Sequence, residues 1–355
     1  MKDFYSFVLN DDLEKYSDLL KQMDDYTAYH TPQYLLAEEK AEEVPLTIFV
    51  YDDGEQLALL PSIKRNIGAI RGLERYGNYY DLKTPHEYSG VLTSDNSEQL
   101  CLKFFNALEN YCQEHKIIFQ FIRFNPYRQT DSRAAEKCGY NVTLSNQQTY
   151  VKLEHPLEKI FENFSPSARR NIRTALRNDL VCECVDASKE NVDVFQRLYV
   201  SAMKRLDAKP FFYFNREYFY KLLIDNDVTK LVFVKHGKNV AAAAILLLSQ
   251  EHSYYHLGCF DMAFSKLRPM DYLFYGLVKI SKLYDKKFLH LGGGGLTLKR
   301  FKQKFSDALV DYYVAHKIFD GTIYKKICEE YLNATGGDVD KNFLPLYRSQ
   351  KSNIL

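Results

Sequence analysis

Two stretches of the chain each contain two strand-like apolar runs that are separated by a short polar turn. In residues 48–64, the run IFVY is followed by an Asp-Gly turn and the run LALLPSIK, a strong short-range signal for a β-hairpin. In residues 231–248, LVFV, a turn containing glycine and VAAAAILLL repeat this order. A tyrosine-rich segment follows each hairpin, at 77–80 and 253–258. The pattern therefore predicts one supersecondary unit twice.

Each predicted hairpin is followed by an amphipathic helix and a further strand. Residues 98–115 place apolar side chains three or four positions apart, and a strand is predicted at 117–124. Residues 270–285 and 288–291 repeat this arrangement. Two successive units of hairpin, helix and strand indicate a duplicated α/β chain, although α/β proteins also reuse such units by chance.

The remaining pattern predicts more helices and one domain boundary. Further helices are expected at 13–23, 194–206 and 217–224. Pro156 punctuates the chain, so we place the boundary near 154–158. The expected division is a first domain of 1–155, a second domain of 156–320, and a C-terminal tail of 321–355 that packs back on the first domain. The polar end, 341–355, is expected to be poorly ordered.

Length, composition and net charge limit the classes of protein to which this chain can belong. The chain has 355 residues, 46% of them hydrophobic, which favours a globular protein of two domains. The formal net charge of +1 excludes a global field that attracts nucleic acid or anionic lipid, so any such attraction must be local. The longest apolar run, 240–248, is too short to span a membrane, and the N-terminus lacks a secretory pattern, so a cytoplasmic protein is expected.

Cysteine and aromatic usage add two expectations. The seven scattered cysteines suit neither a disulfide framework nor the CxxC pairs of a zinc site, so we expect reduced thiols and no metal. Tyrosine is abundant, with 28 residues, and tryptophan is absent. Rings that end in a hydroxyl both pack and hydrogen-bond, which suits a polar ligand cleft.

The strongest candidate for a site is the segment FLHLGGGGLTLKRFKQKF at 288–305. Four consecutive glycines, Gly292 to Gly295, favour a loop that lies close to a ligand or to another backbone, although they can also form a simple flexible turn. Phe301 and Phe305 are expected to anchor a helical turn, so that Lys302 points into a cleft beside the glycines. An ammonium there stabilises negative charge on oxygen or phosphate. Alternatively, Lys302 and its basic neighbours are surface lysines.

A second candidate is the predicted helix at 165–178, which begins with Ser165 as N-cap and a first-turn proline. Arg169, Arg173 and Arg177 recur every four residues on one face. A planar guanidinium binds phosphate oxygens in pairs, so these arginines form a candidate phosphate-binding strip. A solvated amphipathic face is an equally good interpretation.

Two other segments carry possible chemistry. Residues 79–90, YYDLKTPHEYSG, have a composition that does not suit a regular core element, and Asp81 or Glu87 in this expected loop can accept a hydrogen bond from a substrate or make a local turn. His256 and His290 lie in similar predicted strands, where either is a base near neutral pH or, more commonly, a core histidine. Cys259 is interpreted as a core residue.

In this order, the motifs resemble the Fem family of non-ribosomal peptidyltransferases and related GNAT-fold acyltransferases of peptidoglycan and polysaccharide synthesis. The resemblance covers most of residues 30–320. It rests on Tyr80-Asp81 with Pro85, Tyr88 and Gly90, on the Arg-x-x-Ile-x-x-Ala pattern at 169–175, and on the Gly-Gly…Phe-Lys-x-x-Phe pattern at 292–305.

The resemblance implies two tandem GNAT-like domains with mixed, mostly antiparallel sheets flanked by helices, and an acceptor cleft between them or within the first. It implies attack of an amine on an activated acyl carbon, supplied in Fem proteins by aminoacyl-tRNA. By motif, Lys302 stabilises the transition state or binds donor phosphate, with Phe301 beside it. The other implied site residues are Tyr254 and His256 lining the cleft, Asp81, His86 and Tyr88 at the acceptor, Arg205 and Lys209 at acceptor phosphate, and Gly292, Gly293 and Gly294 at substrate.

Departures from the family pattern leave the acceptor open. His86 and His256 stand where tyrosine is common, Ser306 replaces a glycine, and no long heptad arm is visible. The first hypothesis is an aminoacyl or acyl transferase acting on an amine of a nucleotide- or lipid-linked envelope precursor, with tRNA and a peripheral membrane contact as open possibilities. The second is an acetyl-CoA-dependent N-acetyltransferase of a nucleotide-linked amino sugar, and the third is a non-catalytic RNA- or glycan-binding protein.

The donor is expected as a co-substrate, either aminoacyl-tRNA or acyl-CoA, with no resident cofactor. GNAT domains that use CoA usually bind its pyrophosphate on a glycine-containing loop at a helix N-terminus. Here residues 261–270 contain no glycine, which counts against CoA.

Overall fold

The computed structural model describes residues 3–24, 26–42 and 44–349. The chain forms two compact units. The first unit comprises residues 1–35, 43–145 and 312–355, and the second comprises 36–42 and 146–311. The division at 145/146 lies ahead of the boundary expected at 154–158, because the segment after residue 140 is a strand that enters the second unit. The C-terminal residues from 312 onward belong to the first unit.

The strands of the described residues are β1 Phe4–Val8, β2 Leu46–Asp52, β3 Leu57–Asn66, β4 Tyr80–Lys83, β5 Leu92–Thr93, β6 Ile117–Arg123, β7 Asn141–Lys152, β8 Leu180–Val185, β9 Thr229–His236, β10 Asn239–Leu248, β11 His252–Phe260, β12 Phe288–Gly292 and β13 Leu309–Ile318.

The α-helices are α1 Leu13–Leu20, α2 Pro32–Glu42, α3 Glu98–Glu114, α4 Thr130–Lys137, α5 Leu157–Asn163, α6 Pro166–Arg177, α7 Lys189–Arg205, α8 Arg216–Leu223, α9 Pro269–Leu283, α10 Leu296–Lys302 and α11 Gly321–Thr335. Short 3-10 helices lie at Leu9–Asp11, Ala28–His30, Ile67–Ala69, Glu74–Tyr76, Pro210–Phe212, Met262–Leu267 and Leu346–Arg348.

The sheet of the first unit has the strand order β1-β2-β3-β4-β6-β13, with β5 paired to β3. Its neighbours are antiparallel except for β4 and β6, which are parallel and are connected through α3. The hydroxyl of Ser97 caps α3 by accepting from the Leu100 N–H. The apolar face of α3, including Phe104 and Leu108, packs against β2 and β3. This burial fixes the crossover helix on the sheet.

The sheet of the second unit has the order β7-β12-β11-β10-β9-β8. Here too a single neighbouring pair, β11 and β12, is parallel and is connected through a helix, α9. Helices α6 and α9 pack on the face that carries Ala242, Ala244 and Leu246 of β10. Two further helices pack on this sheet: α7 contacts β10 and β11, and α8 contacts β9.

The two units confirm the duplication predicted from the hydrophobic pattern. Each contains an antiparallel hairpin, a third antiparallel strand, a crossover helix, and a strand parallel to the third. Mixed, mostly antiparallel sheets flanked by helices were expected and are observed. In each unit the two parallel strands are connected through one long helix, α3 of 17 residues or α9 of 15 residues.

Two predictions from composition were wrong. The segment 79–90 contains β4, whose polar Asp81 is completely buried because two arginines pair with its carboxylate. The polar end was expected to be poorly ordered, yet within 341–349 the ring of Tyr347 is fully buried against Ile67 and Phe119. Residues 350–355 of that prediction lie outside the described residues. Both predictions relied on local composition, which does not reveal the distant residues that pair with Asp81 or pack around Tyr347.

Candidate functional site

The second unit contains a gap between two neighbouring strands. β11 and β12 are paired in parallel only as far as Tyr254 and His290, although β11 continues to Phe260. Beyond this point the last residue of β12, Gly292, is paired with β7 on its other side. The two strands therefore separate towards their carboxyl ends, where ligands of parallel strand pairs commonly bind.

A β-bulge lies where the strands begin to separate. In the pairing of β10 with β11, Ile245 is opposite Leu257 and Leu246 is opposite Tyr255, so His256 is the extra residue. A bulge turns the local backbone and re-aims side chains, and bulges are common beside active sites. The Nε2 atom of His256 lies 2.7 Å from the hydroxyl oxygen of Tyr218 in α8. The candidate base thus has a fixed partner.

The glycine run starts at the last residue of β12 and ends at Gly295, the N-cap of α10, at the edge of this gap. Gly292 and Gly294 have φ values of 77° and 126°, which residues other than glycine rarely adopt. A Cβ atom on Gly293 would lie 2.8 Å from Oδ1 of Asn146. Both a left-handed backbone and a close approach therefore require glycine here. The segment is a defined turn with tight packing.

Lys302 is held beneath this turn. Its side chain is almost completely buried, and only 4% of the residue is exposed. Its Nζ donates a hydrogen bond to the carbonyl of Gly293 at 2.5 Å and lies 5.6 Å from the ring centre of Tyr255. Phe301 packs edge-on against Phe274 of α9, which anchors α10. The interpretation of Lys302 as a surface lysine is wrong.

The other residues of β11 and β12 have structural partners. Nε2 of the fully buried His290 lies 2.6 Å from Oε1 of Gln148, and the Tyr254 ring is 5.6 Å from the His290 ring. Cys259 is buried, and burial raises the pKa of its thiol, so an activated thiolate is disfavoured. This agrees with the core role expected for Cys259.

The candidate residues of β11 divide between the two faces of the sheet. Tyr255 packs on the face of α9, where it meets Lys302, and burial raises the pKa of its phenol so that it stays neutral. His256 meets α8 on the opposite face. The structure therefore brings Lys302 together with the glycines and Tyr255, while His256 lies on the other face of the same strand, in contact with Tyr218 of α8.

The arginine strip lies on α6, close to the end of α10. The Ser165 N–H donates to the carbonyl of Lys304 at 2.8 Å. Arg173 packs its guanidinium over Phe161, and Nε of Arg177 donates to the Arg173 carbonyl. Within the described part of the chain, the buried Nε of Arg169 has no hydrogen-bond partner. A phosphate-binding role for the strip stays a prediction.

Of the two basic candidates of the second unit, Arg205 contacts the carboxyl end of β11 and Lys209 lies on an exposed turn. Arg205, at the end of α7, donates to the carbonyl of Phe260 at 3.3 Å and stacks over its ring at 4.6 Å. Lys209 is exposed at the start of the 3-10 helix Pro210–Phe212. Arg205 is thus placed at the mouth of the gap, and a phosphate contact for either residue stays a prediction.

The acceptor candidates lie in the first unit. Asp81 has both carboxylate oxygens engaged, by Arg65 at 2.6 Å and Arg348 at 2.9 Å. Because this carboxylate is buried and paired, its position argues against the expected acceptor contact. Tyr88 is buried, with the rings of Tyr29 and Tyr312 at 5.2 and 5.3 Å.

His86 is placed beside a carboxylate in the same loop. Its Nε2 lies 2.8 Å from Oε1 of Glu87, and its carbonyl accepts from the Tyr34 hydroxyl at 2.9 Å. Glu87 has a positive φ of 65°, so the loop has a tight local turn as well. Acceptor binding by His86 and Tyr88 stays a prediction.

Sequence reasoning missed three residues of the site. Tyr218 and Gln148 are partners of the two strand histidines, and Tyr255 faces Lys302. Tyr218 lay in a predicted helix, and only its position on the buried face of that helix marked it. Gln148 lies in β7, a strand that the sequence analysis did not predict.

Comparisons with known proteins agree with the fold described above. The family model of the Acetyltransferase (GNAT) domain matches residues 164–302, within the second unit. The crystal structure of FemX is similar over 88% of this chain and 98% of its own, with 12% identity and a TM-score of 0.68. A comparison with curated proteins found no match.

Two further solved structures are similar over nearly their full length. The C-terminal domain of a putative lysylphosphatidylglycerol synthetase from Agrobacterium fabrum has 14% identity and a TM-score of 0.56, over 92% of this chain and 98% of its own. L-PGS from Bacillus licheniformis has 14% identity and a TM-score of 0.56, over 90% and 96%. The Fem-like GNAT fold implied by the motifs is therefore confirmed.

Two observations concern metals and membranes. Among residues 3–24, 26–42 and 44–349, no three histidine, cysteine or acidic side chains lie together as metal ligands. No helix in this part of the chain has the length and apolar character needed to cross a bilayer.

Proposed function

We propose that the protein is an acyltransferase that forms an amide, by moving an acyl or aminoacyl group onto an amine of a nucleotide- or lipid-linked envelope precursor. The observation that carries this proposal is the gap between β11 and β12, with the Lys302 ammonium fixed under the glycine turn at its edge. The family match over residues 164–302 and the similarity to FemX support it.

The geometry suits a reaction that develops negative charge on oxygen. When the amine nitrogen bonds to the acyl carbon, the carbonyl oxygen becomes an oxyanion until the bond to the leaving oxygen or sulfur breaks. An ammonium whose position is already fixed stabilises this charge without reorganising. Lys302 is fixed by the Gly293 carbonyl and by the packing of α10, so its stabilisation is preorganised.

The attacking amine must also lose a proton. The proton passes from nitrogen to a base and then to the departing hydroxyl or thiol. His256 is the candidate base, because it is the bulge residue next to the point where β11 and β12 separate, and Tyr218 orients its imidazole.

For the donor, we favour an aminoacyl ester of tRNA over CoA. Helix α9 begins with Pro269, which has no N–H, and Asp271 in its first turn is already ion-paired with Lys304. A pyrophosphate at this helix terminus would lack the N–H donor that Pro269 does not have, and it would lie near the carboxylate of Asp271. Both features weaken anion binding there. Acetyl-CoA is the second candidate, favoured by the description of the matching family.

The proposal is tested by a donor screen. Purified protein is incubated with charged tRNAs or acyl-CoAs and with nucleotide-linked amino sugars or muropeptides, and amide formation is followed by mass spectrometry. Turnover with aminoacyl-tRNA is expected. Turnover with acetyl-CoA alone supports the second candidate, and no turnover with any donor, together with RNA or glycan binding, supports a non-catalytic protein.

A matched pair of variants links the activity to the site. Lys302→Met keeps most of the stem volume and removes the charge, so we expect a rate loss of about 100-fold or more, the effect of losing one oxyanion donor. Arg300→Ala changes an exposed cation two residues away and should leave the rate near that of the parent. Equal rates for the parent and Lys302→Met, with both folded, would refute the role of Lys302.

A further inference from the structure

A turn after α7 exposes an unusual group of large apolar side chains. We call residues 204–213, KRLDAKPFFY, the aromatic turn. Leu206, Phe211, Phe212 and Tyr213 are 64%, 43%, 39% and 38% exposed. Single exposed apolar residues are normal, but clustered ones mark surfaces that meet another apolar phase.

The exposure is built into the fold. The Tyr199 hydroxyl donates to the carbonyl of Phe212 at 3.0 Å. The next aromatic residue, Phe214, is buried and stacks on Tyr218 at 4.3 Å. Pro210 begins a 3-10 helix, which limits the backbone further. The buried rings of Tyr199, Phe214 and Tyr218 thus fix the turn, and its other aromatic rings are exposed to solvent.

The same turn is basic. Lys204, Arg205 and Lys209 are exposed, and Asp207 is the single acidic residue within 204–213. Three positive charges and one negative charge give the turn a formal charge of +2, while the whole chain carries +1. Apolar rings flanked by lysine and arginine are the combination that enters the headgroup region of an anionic bilayer.

We propose that the aromatic turn docks on the surface of a bilayer that contains anionic lipid. Its aromatic rings and Leu206 enter the headgroup region, and the three cations contact lipid phosphates. Charge complementarity favours this occupant over a second copy of the chain, because two copies meeting at the same turn would bring like charges together. Peripheral contact of this kind needs both an apolar and an electrostatic signal, and the turn supplies both.

Docking has a direct connection to the candidate site. Phe214, which closes the turn, stacks on Tyr218, and the Tyr218 hydroxyl contacts His256. A bilayer at the turn would therefore lie one side chain away from the residues that orient the candidate base. The inference goes beyond the proposed function, since lipid binding does not depend on any transfer reaction.

The test is co-sedimentation of the full chain with vesicles of phosphatidylcholine, with and without phosphatidylglycerol. We expect binding to the anionic vesicles, weakened by salt, and little binding to the neutral ones. Leu206→Ser with Phe212→Ser should abolish it. Lys204→Gln and Lys209→Gln should each weaken it about fivefold, the effect of one cation at an anionic surface.

Matched controls lie elsewhere on the surface. Leu283→Ser removes a side chain that is 76% exposed at the end of α9, and Lys326→Gln removes an exposed cation of α11. Both should bind vesicles as the parent does. Equal binding to both vesicle types, unchanged binding of the turn variants, or equal losses in the controls would overturn the proposal. So would a concentration-dependent dimer that Phe212→Ser disrupts, which would assign the turn to a second copy of the chain.

Discussion

Replacing Asp81 with alanine separates a structural role from an acceptor role. The carboxylate is completely buried in β4. Its Oδ1 lies 2.6 Å from Arg65, and its Oδ2 lies 2.9 Å from Nε of Arg348. Arg348 also donates to the carbonyl of Asn66 at 2.9 Å. One carboxylate thus holds two guanidinium groups and ties the C-terminal segment to the first unit.

The expected magnitude follows from the charges left behind. In Asp81→Ala the two guanidinium groups remain, with side chains 15% and 17% exposed, and face each other without a counter-charge. Removing one partner of a buried pair typically costs about 3–5 kcal/mol, because the remaining charge stays desolvated. The residual exposure of the arginines lets water relieve part of this, so we expect about 3 kcal/mol for the unfolding of the first unit.

The assay is urea unfolding of the purified variant, followed by tyrosine fluorescence and circular dichroism. The matched control is Glu98→Ala, since Glu98 also pairs with two cations, Arg133 and Lys137, but at the surface. Surface pairs contribute little, so a much smaller loss is expected there. A loss below about 1 kcal/mol for Asp81→Ala would refute the reasoning. Unchanged stability with lost acceptor binding would restore the acceptor role.

Three further measurements test other parts of the structure. Burial lowers the pKa of His30 to about 3, so the unfolded chain binds the proton first. The unfolding free energy should therefore fall by about 1.6 kcal/mol between pH 6.5 and pH 5, and urea titrations of His30→Asn should show a shallower dependence on pH. A Cβ on Gly276 would lie 2.1 Å from Sγ of Cys182, so Gly276→Ala should lower the free energy of urea unfolding by about 1–3 kcal/mol. Adding Cys182→Ala should recover most of this loss, and an equal loss in the double variant would contradict the contact. Gly294→Ala forces alanine to a φ of 126° and should cost about 1–3 kcal/mol in thermal unfolding, whereas Gly295→Ala, with open space around it, should be nearly neutral; equal losses would contradict the assigned turn.

Much of the fold follows from local patterns. The hairpins β2–β3 and β9–β10 and the helices α3 and α9 lie within a few residues of their predicted positions. The hairpins were marked by apolar runs on either side of a glycine-containing turn, and the helices by apolar residues three or four positions apart. Strand β4 escaped detection because its polar Asp81 is neutralised by arginines 16 residues before it and 267 residues after it.

In the candidate site, too, contacts between residues close in the sequence could be predicted and contacts between distant residues could not. Lys302 and Gly293 are nine residues apart, so their proximity could be inferred from one motif. Tyr218 and His256 are 38 residues apart, and Gln148 and His290 are 142 apart. No local signal connects these pairs, because their distance depends on how the strands of the second unit are ordered.

The sequence by itself determined the duplicated hairpins, the crossover helices and the basic segment after four glycines, because each is encoded by spacing within about 20 residues. Only the tertiary structure decided that β11 separates from β12, that His256 is a bulge residue, and that Lys302 is buried under the glycine turn. These features depend on which strands pair and where the pairing stops. Register between distant strands is set by the packing of the whole sheet, and a linear pattern does not contain it.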